Sequence, residues 1–238
     1  MCGRYTHLYT WKQLHRLLGL TSCEVELRPS YNVAPTQSAP VIVNGDSAGG
    51  ASLRFMRWGL VPSWAKDIAI GNSLINARAE GIDTKPAFRA AFKKSRCIVP
   101  ISGFYEWEKV EGQKAKQPFY IQPTDGEPWL LAGLWESWRP AEGPPLESFV
   151  IITTRANAMV ARIHDRMPVI LGAPDARRWM APTGAGGADL LSLLSPYPDE
   201  GMKAYPVSVA VNRPGIDSPA LVQPLERRDF GGIFDSSP

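Results

Sequence analysis

Apolar and polar residues alternate over short stretches of this chain, and turn-forming residues separate the stretches. Alternation with a period of two is typical of half-buried strands. The first two stretches flank the turn sequence Asn44-Gly45-Asp46, so we expect them to pair. The pattern predicts strands over residues 39–43, 53–58, 96–101, 103–109, 118–122, 129–135, 148–154 and 203–211.

Helical periodicity is confined to a few short segments. In the first, Thr10 can cap the helix, Trp11 and Leu14 share its apolar face, and Gly19 can end it. In the second, Pro86 suits the first helical turn. The pattern predicts helices over residues 11–18, 84–95, 174–180 and 188–194.

Many short strands with few helices predict an α+β fold, in which a curled mixed sheet or barrel-like core carries short peripheral helices. We expect one domain over residues 1–226 and a frayed polar tail over residues 227–238. A hydrophobic fraction of 44% is sufficient for a substantial core. No apolar run reaches the roughly 18 residues of a membrane span, and there is no basic-apolar leader, so we expect a cytoplasmic protein, nucleoid-associated if bacterial.

The net charge and the positions of the cysteines and histidines limit the kinds of binding site that the chain can form. A net charge of +3 permits nucleic-acid binding without requiring it. The cysteines and histidines are scattered, which predicts neither a disulfide framework nor a metal site, and no cofactor. These residues are Cys2, Cys23, Cys97, His7, His15 and His164.

The start of the chain offers an unusual nucleophile. A small residue after Met1 is what aminopeptidases require, and removal of Met1 leaves Cys2 with a free α-amine beside its thiol. Both groups titrate near pH ~8 when unperturbed, so both are partly reactive at neutral pH. Such a pair can condense with an aldehyde to a thiazolidine, or the thiol can attack an acyl carbon. The alternative is an ordinary buried cysteine.

Four further segments carry polar or aromatic residues that suit a site. Asn76 and Arg78 share a face if their segment is extended, and Glu106 alternates with the aromatic residues on either side. His164 stands beside Asp165 and Arg166, and Trp64 lies in a loop rich in Pro and Gly. Each segment alone has a purely structural alternative.

Together with Cys2, these segments resemble the SOS-response-associated peptidase (SRAP) family of abasic-site-crosslinking proteins. The resemblance covers nearly the whole chain, in order, and residues 206–212 continue it. The matching motifs are Met1-Cys2-Gly3-Arg4-Tyr5, Tyr31-Asn32-Val33-Ala34-Pro35, Arg57-Trp58-Gly59-Leu60-Val61-Pro62, Asn76-Ala77-Arg78-Ala79-Glu80, Arg96-Cys97-Ile98-Val99-Pro100, Gly103-Phe104-Tyr105-Glu106-Trp107 and His164-Asp165-Arg166-Met167-Pro168.

The resemblance implies a DNA-damage protein that captures the ring-opened aldehyde of an abasic site in single-stranded DNA, acting as a monomer. It implies a curled mixed β architecture with a positively charged cleft. Cys2 is the expected nucleophile, Asn76 would aim its amine, His164 would open the sugar ring, and Glu106 would move protons. The implied DNA-binding residues are Arg4, Asn32, Pro35, Pro62, Trp64, Arg78 and Arg166. Peptidase activity is expected at most in maturation of the amino terminus.

Two other classes of function stay open. An N-terminal-nucleophile amidohydrolase of the glutaminase type also begins Met-Cys-Gly, but continues with an aliphatic residue where this chain has Arg4. A non-covalent single-strand-binding module would use only the basic and aromatic residues. Release of ammonia from glutamine identifies the first, and loss of bound DNA in detergent identifies the second.

Overall fold

The computed structural model describes residues 2–45, 50–112, 115–182 and 187–225. Strands within these ranges are β1 (Arg4–His7), β2 (Ser30–Val33), β3 (Ser38–Asn44), β4 (Ala51–Trp58), β5 (Asn76–Arg78), β6 (Arg96–Ile101), β7 (Gly103–Glu108), β8 (Gln117–Pro123), β9 (Trp129–Trp138), β10 (Leu146–Arg155), β11 (Arg166–Pro168), β12 (Ile170–Leu171) and β13 (Met202–Pro206). The helices are α1 (Trp11–Leu18), α2 (Arg89–Lys94), α3 (Ala158–Ala161), α4 (Ala173–Met180) and α5 (Gly187–Leu191). Single 3-10 turns form at Ile68–Asn72, Asp199–Gly201, Val209–Asn212 and Pro219–Val222.

Five strands close into a barrel in the order β10-β4-β3-β6-β9 and back to β10. Closure pairs both long edges, so these strands offer no free edge. Strand β10 pairs in parallel first with β4 and then with β5, and on its other side with β9 and then with β11. The short strands β5 and β11 therefore extend the barrel at one end of β10. This architecture confirms the predicted α+β fold with a barrel-like core.

A second, antiparallel sheet covers the barrel, in the order β13-β8-β7-β1-β2. Tyr5 of β1 pairs with Phe104 of β7, and both pack with the barrel residue Trp58. Tyr105 and Tyr120 lie on the opposite face of this sheet, in a separate apolar cluster with Val207, Val211 and Leu221. The side-chain alternation of β7 therefore separates a barrel-facing face from an outer face.

Both faces of the barrel strands are buried. Val41 and Val99 pack toward the covering sheet, whereas Ile42 and Ile98 pack with the helices. Helix α4 contributes Trp179, whose indole N–H donates to the carbonyl oxygens of Cys97 and Gly133 at 3.0 and 3.2 Å. The helices thus cover the side of the barrel strands that the second sheet leaves open.

Several predicted elements match the structure in kind and approximate position. Helix α1 has the predicted bounds, with a capping box between Thr10 and Gln13 and a left-handed Gly19 at its end. The paired strands β3 and β4, the run of strands β6 to β10, and helix α4 also agree with the pattern.

Three predicted elements are shorter than expected. The helix predicted over 84–95 begins only at Arg89. Pro86 disfavours helical backbone at the preceding Lys85, and residues 81–88 form turns instead. The strand predicted over 203–211 ends at Pro206, since the Ser208 hydroxyl accepts from the Ala210 amide and starts a 3-10 turn. The helix predicted over 188–194 ends at Leu191.

The structure also contains strands that the sequence pattern did not predict, namely β1, β2, β5, β11 and β12. The predicted tail over 227–238 and most of the loop at 46–49 lie outside the described residues. The domain boundary at residue 226 stays a prediction.

Gly59 links strand β4 to the loop that returns the chain to β5. Its φ is +119°, and an added Cβ would collide with the carbonyl oxygen of Gly71. Its amide donates to the Phe149 carbonyl at 2.8 Å, and the next residue, Leu60, donates to the Leu74 carbonyl at 3.0 Å. The backbone of Gly59 and the Gly71 carbonyl can approach this closely only because residue 59 has no side chain.

We expect Gly59→Ala to lower the free energy of unfolding by about 1–3 kcal/mol, because alanine is strained at this backbone conformation. Urea denaturation measures the change. Gly215→Ala is the matched control, since its Cβ would meet no atom within 4 Å, and we expect it to stay within about 0.5 kcal/mol of wild type. Equal midpoints for the two variants would contradict this account of the loop.

Candidate active site

Cys2 lies at the meeting point of three strands. It lies two residues before the start of β1, whose Arg4 pairs with Tyr105 of β7, so Gly3 comes opposite Glu106. The Cys2 side chain is fully buried in the cluster between the barrel and the covering sheet. The side-chain amide of Asn76 donates from Nδ2 to the Cys2 carbonyl oxygen at 2.8 Å. The chain start is thereby tied to strand β5.

The Cys2 thiol is held in its neutral form. Burial raises the pKa of the Cys2 thiol far above its usual range, and the negative charge of Glu106 raises it further. The positive chain terminus and a hydrogen bond to the Arg4 backbone lower this pKa only in part. The structure therefore corrects the expectation of a partly ionised thiol at neutral pH, because that expectation assumed a solvated cysteine.

Asn76 is positioned by its own strand and by a tryptophan. Strand β5 pairs in parallel with β10, with Asn76 opposite Ile151. The indole N–H of Trp58 donates to the carbonyl oxygen of Ile75 at 2.9 Å, which fixes the start of β5. The Asn76 Oδ1 atom is buried and accepts no hydrogen bond from the described residues. A buried acceptor without a donor is costly, so this oxygen marks a place where a donor fits.

Glu106 lies on the barrel-facing face of β7, opposite to Tyr105 and Trp107, as strand alternation predicts. The residue is 1% exposed. Burial raises the pKa of the Glu106 carboxyl, while the charges of the chain terminus and of His164 lower it in part. A carboxyl group with a raised pKa, next to a neutral thiol, is suited to taking up and returning protons near neutral pH.

His164 stands between helix α3 and strand β11, within electrostatic reach of Glu106. Its Nδ1 atom lies 3.0 Å from the backbone N–H of Arg166 and 2.9 Å from Asp165 Oδ1. The amide can only donate, so it favours an unprotonated Nδ1 with the proton on Nε2. The Asp165 carboxylate favours a protonated Nδ1, but its side chain is 83% exposed and solvent screens its charge. When His164 is neutral, the amide contact therefore favours the tautomer with the proton on Nε2.

Of the expected DNA-binding residues, Arg78 and Trp64 are open to solvent. The Arg78 guanidinium makes no hydrogen bond to another described residue, and Trp64 is 59% exposed. The loop of Trp64 is held from below, because the indole of Trp138 donates to the Ala65 carbonyl at 2.7 Å. Pro62 in the same loop is buried, and Pro35 is half-buried.

Arg4 and Asn32 are occupied with other groups of the protein. Arg4 Nη1 donates to Asn32 Oδ1 at 2.7 Å and to the Val211 carbonyl at 2.8 Å. Asn32 Nδ2 donates to the carbonyls of Arg213 and Ile216 at 3.1 and 2.7 Å. Because Arg4 pairs with Tyr105, its side chain lies on the outer face of the sheet, opposite to Glu106. These two residues fasten the segment after β13 to the sheet.

Two residues that support the site were not singled out from the sequence. Trp58 holds β5 through Ile75, and Glu80 forms an ion pair with Arg166 at 2.7 Å. Asn76, Arg78 and Glu80 follow one another at intervals of two residues. This spacing could have placed Glu80 on the same face as the two expected site residues. Within the described ranges, no group of three His, Cys, Asp or Glu side chains is placed to hold a metal ion, and no helix has the length and apolarity of a bilayer-spanning segment.

Comparison with known proteins assigns the chain to a family. The chain belongs to the SOS response associated peptidase (SRAP) family, whose model matches residues 1–214. It is similar to the abasic site processing protein YoqW of Bacillus subtilis, with 42% identity over 94% of this chain and 99% of that protein. It is also similar to the abasic site processing protein HMCES of Gallus gallus, with 32% identity over 85% of this chain and 68% of that protein. A solved structure from Bacteroides thetaiotaomicron matches with a TM-score of 0.83 and 29% identity, over 94% of this chain and 100% of that one.

The raised pKa of Glu106 has a consequence for stability. The folded protein holds the carboxyl proton more tightly than the unfolded chain, so the free energy of unfolding falls as pH rises from the ordinary carboxyl range through the raised pKa. We expect Glu106→Gln, which removes this loss, to have a higher urea midpoint than wild type above the raised pKa. Below about pH 4 the two midpoints should converge. Glu111→Gln, on the exposed turn after β7, is the control, and a pH-independent gain for Glu106→Gln would refute the explanation.

Proposed function

We propose that this protein processes abasic sites in single-stranded DNA by forming a covalent thiazolidine through Cys2, once Met1 has been removed. The names of the YoqW and HMCES relatives support the substrate. The observation that carries the chemistry is the position of Asn76, which holds the Cys2 carbonyl with Nδ2 and keeps a buried, unpaired Oδ1 beside it. A terminal ammonium or amine on Cys2 is a donor suited to that oxygen.

The first proposed step opens the sugar ring. When neutral, His164 carries the proton on Nε2, and it donates this proton to the ring oxygen of the abasic deoxyribose. The C1′–O4′ bond breaks as the Glu106 carboxylate takes the proton of the C1′ hydroxyl, which leaves the free aldehyde, and Glu106 then returns this proton to His164 Nε2. An imidazole suits this step because one ring nitrogen can give up a proton and take it back while the other keeps its hydrogen bond.

The second and third steps form the crosslink. The Cys2 amine adds to C1′, and Glu106 transfers both amine protons, one after the other, to the departing oxygen, so that water leaves and a neutral Schiff base remains. The Cys2 sulfur then adds to C1′, and the thiol proton moves to the imine nitrogen through Glu106. Aldehyde and aminothiol become thiazolidine and water, with no change in charge. A buried neutral thiol suits this closure, because its proton is needed on nitrogen in the product.

For the DNA path, we propose Arg78 as a phosphate contact and Trp64 as a stacking platform, because both are exposed. An arginine matches phosphate with paired hydrogen bonds, and stacking tolerates any base. The half-buried Pro35 would line the wall of the same path, whereas the buried Pro62 could wedge against a base only if its loop moved. Arg4, Asn32 and Arg166 would reach a phosphate only by giving up the internal partners described above.

Peptidase action is proposed only for maturation at Met1, by the protein itself or by an aminopeptidase. While Met1 is attached, the Cys2 nitrogen is an amide and cannot form a Schiff base. Intact mass spectrometry after incubation with uracil-excised single-stranded DNA tests the whole proposal, since it reports both the amino terminus and the mass of any adduct. An adduct-free protein that releases ammonia from glutamine would instead favour the amidohydrolase class.

We expect Cys2→Ala to abolish the stable adduct on a denaturing gel. Cys2→Ser should give at most a Schiff base that borohydride traps, because the hydroxyl is a poorer nucleophile for ring closure. An amino-terminal tag that is not removed should be as damaging as loss of the sulfur. Cys23→Ser is the control, since Cys23 is an exposed free cysteine. Normal crosslinking by a tagged protein would show that the amine is not involved.

We expect Arg78→Ala to weaken binding to lesion-free single-stranded DNA, because one phosphate contact is lost. The slope of log affinity against log salt should become shallower by about 0.7. Fluorescence anisotropy over a salt series measures both quantities. Arg89→Ala removes an equally exposed cation from α2, and the same loss in that variant would mean that Arg78 acts only through net charge.

A further inference from the structure

The most complete polar contact near the site lies between Arg166 and Glu80. Arg166 Nη1 and Nη2 donate to Glu80 Oε1 and Oε2 at 2.7 and 2.8 Å, which is a paired, two-bond geometry. Arg166 Nη2 also donates to the Thr153 carbonyl of β10 at 2.7 Å. The Arg166 side chain is 11% exposed, although the Glu80 carboxylate is open to solvent. Glu80 therefore holds a largely buried guanidinium in one orientation.

This ion pair joins three chain segments that meet at His164. Glu80 follows β5, the strand of Asn76; Thr153 belongs to β10; and Arg166 begins β11. Arg166 also pairs with Arg155 across β10 and β11, so its backbone is set by the sheet and by its own side chain together. The backbone N–H of that same Arg166 contacts Nδ1 of His164 at 3.0 Å.

We propose that Glu80 is a positioning residue for His164 and acts through Arg166. The carboxylate fixes the guanidinium, the guanidinium fixes the first residue of β11, and the Arg166 amide keeps the His164 proton on Nε2. The inference rests on the proposed function, because it assigns Glu80 to the ring-opening step. It also gives Arg166 a role in the DNA-free protein other than the phosphate contact that its sequence suggested.

The Glu80–Arg166 ion pair is stronger than an ordinary surface ion pair, which supports a positioning role. The hydrogen bond from Arg166 lowers the pKa of the Glu80 carboxyl to about 2. The carboxylate is thus ionised over the whole range in which a histidine titrates. Arg16 Nη2 donates to both carboxylate oxygens of Glu127 at 2.6 Å, between α1 and the loop after β8. The chain therefore supplies a second arginine–glutamate ion pair, outside the site, for comparison.

The test compares two substrates. One is an ordinary abasic site, which is mostly closed as a hemiacetal; the other is an acyclic analogue that bears the aldehyde but lacks the ring oxygen. We expect Glu80→Gln to slow crosslinking of the closed sugar by about 10- to 100-fold at saturating DNA, because a displaced proton donor loses most of its effect. Crosslinking of the acyclic aldehyde should keep its wild-type rate, and so should both reactions of Glu127→Gln.

A double variant separates positioning from a general structural effect. If Glu80 acts through His164, adding Glu80→Gln to His164→Ala should slow the reaction no further, whereas independent effects would multiply. Glu80→Asp keeps the charge and should recover part of the rate.

Three results would overturn the inference: equal slowing on both substrates, multiplied effects in the double variant, or tighter DNA binding by Glu80→Gln as its only change. If wild type and Glu127→Gln crosslink neither substrate, the proposed function fails instead, independently of Glu80.

Discussion

The hydrogen bond from Asn76 to the carbonyl of Cys2 is the contact on which the site depends. It joins the first residues of the chain to a three-residue strand that continues the barrel along β10. The strand itself is held by the backbone pairing and by the Trp58 indole at Ile75. A reactive chain start would otherwise be a frayed end. Here it is held between the barrel and the sheet that covers it.

Burial raises the pKa of both groups that such a site needs, the Cys2 thiol and the Glu106 carboxyl. The apolar cluster around Cys2 includes Tyr5, Trp58 and Phe104, which exclude water and keep the thiol neutral. The same exclusion raises the pKa of Glu106, so the carboxyl can carry a proton under conditions in which a solvated glutamate does not. Neighbouring positive charges limit this shift. Burial therefore contributes most to the protonation states of Cys2 and Glu106, and the neighbouring charges contribute less.

Polar contacts outside the apolar cluster hold the segments that carry the site. Arg4 and Asn32 fasten the segment after β13 to the outer face of the covering sheet. Glu80 and Arg166 hold β11 against β10 and β5. In both cases a guanidinium donates to a side chain and to a backbone carbonyl at once, which ties separate chain segments together. Arginines that looked alike in the sequence thus differ by their surroundings: two are internal fasteners, and Arg78 faces solvent.

Local sequence was sufficient for much of the architecture. The capped helix at Trp11–Leu18, the pairing of β3 with β4, and the alternation that puts Glu106 on the face away from Tyr105 all follow from contacts between near neighbours, and the ordered motifs identified the family. What the pattern missed depended on distant partners. Strands as short as Asn76–Arg78 and Arg166–Pro168 have too few residues to show a period and exist because β10 pairs with them. The neutral thiol of Cys2 and the commitment of Arg166 to Glu80 were likewise decided by the tertiary structure, since desolvation and ion pairing depend on which segments the barrel brings together.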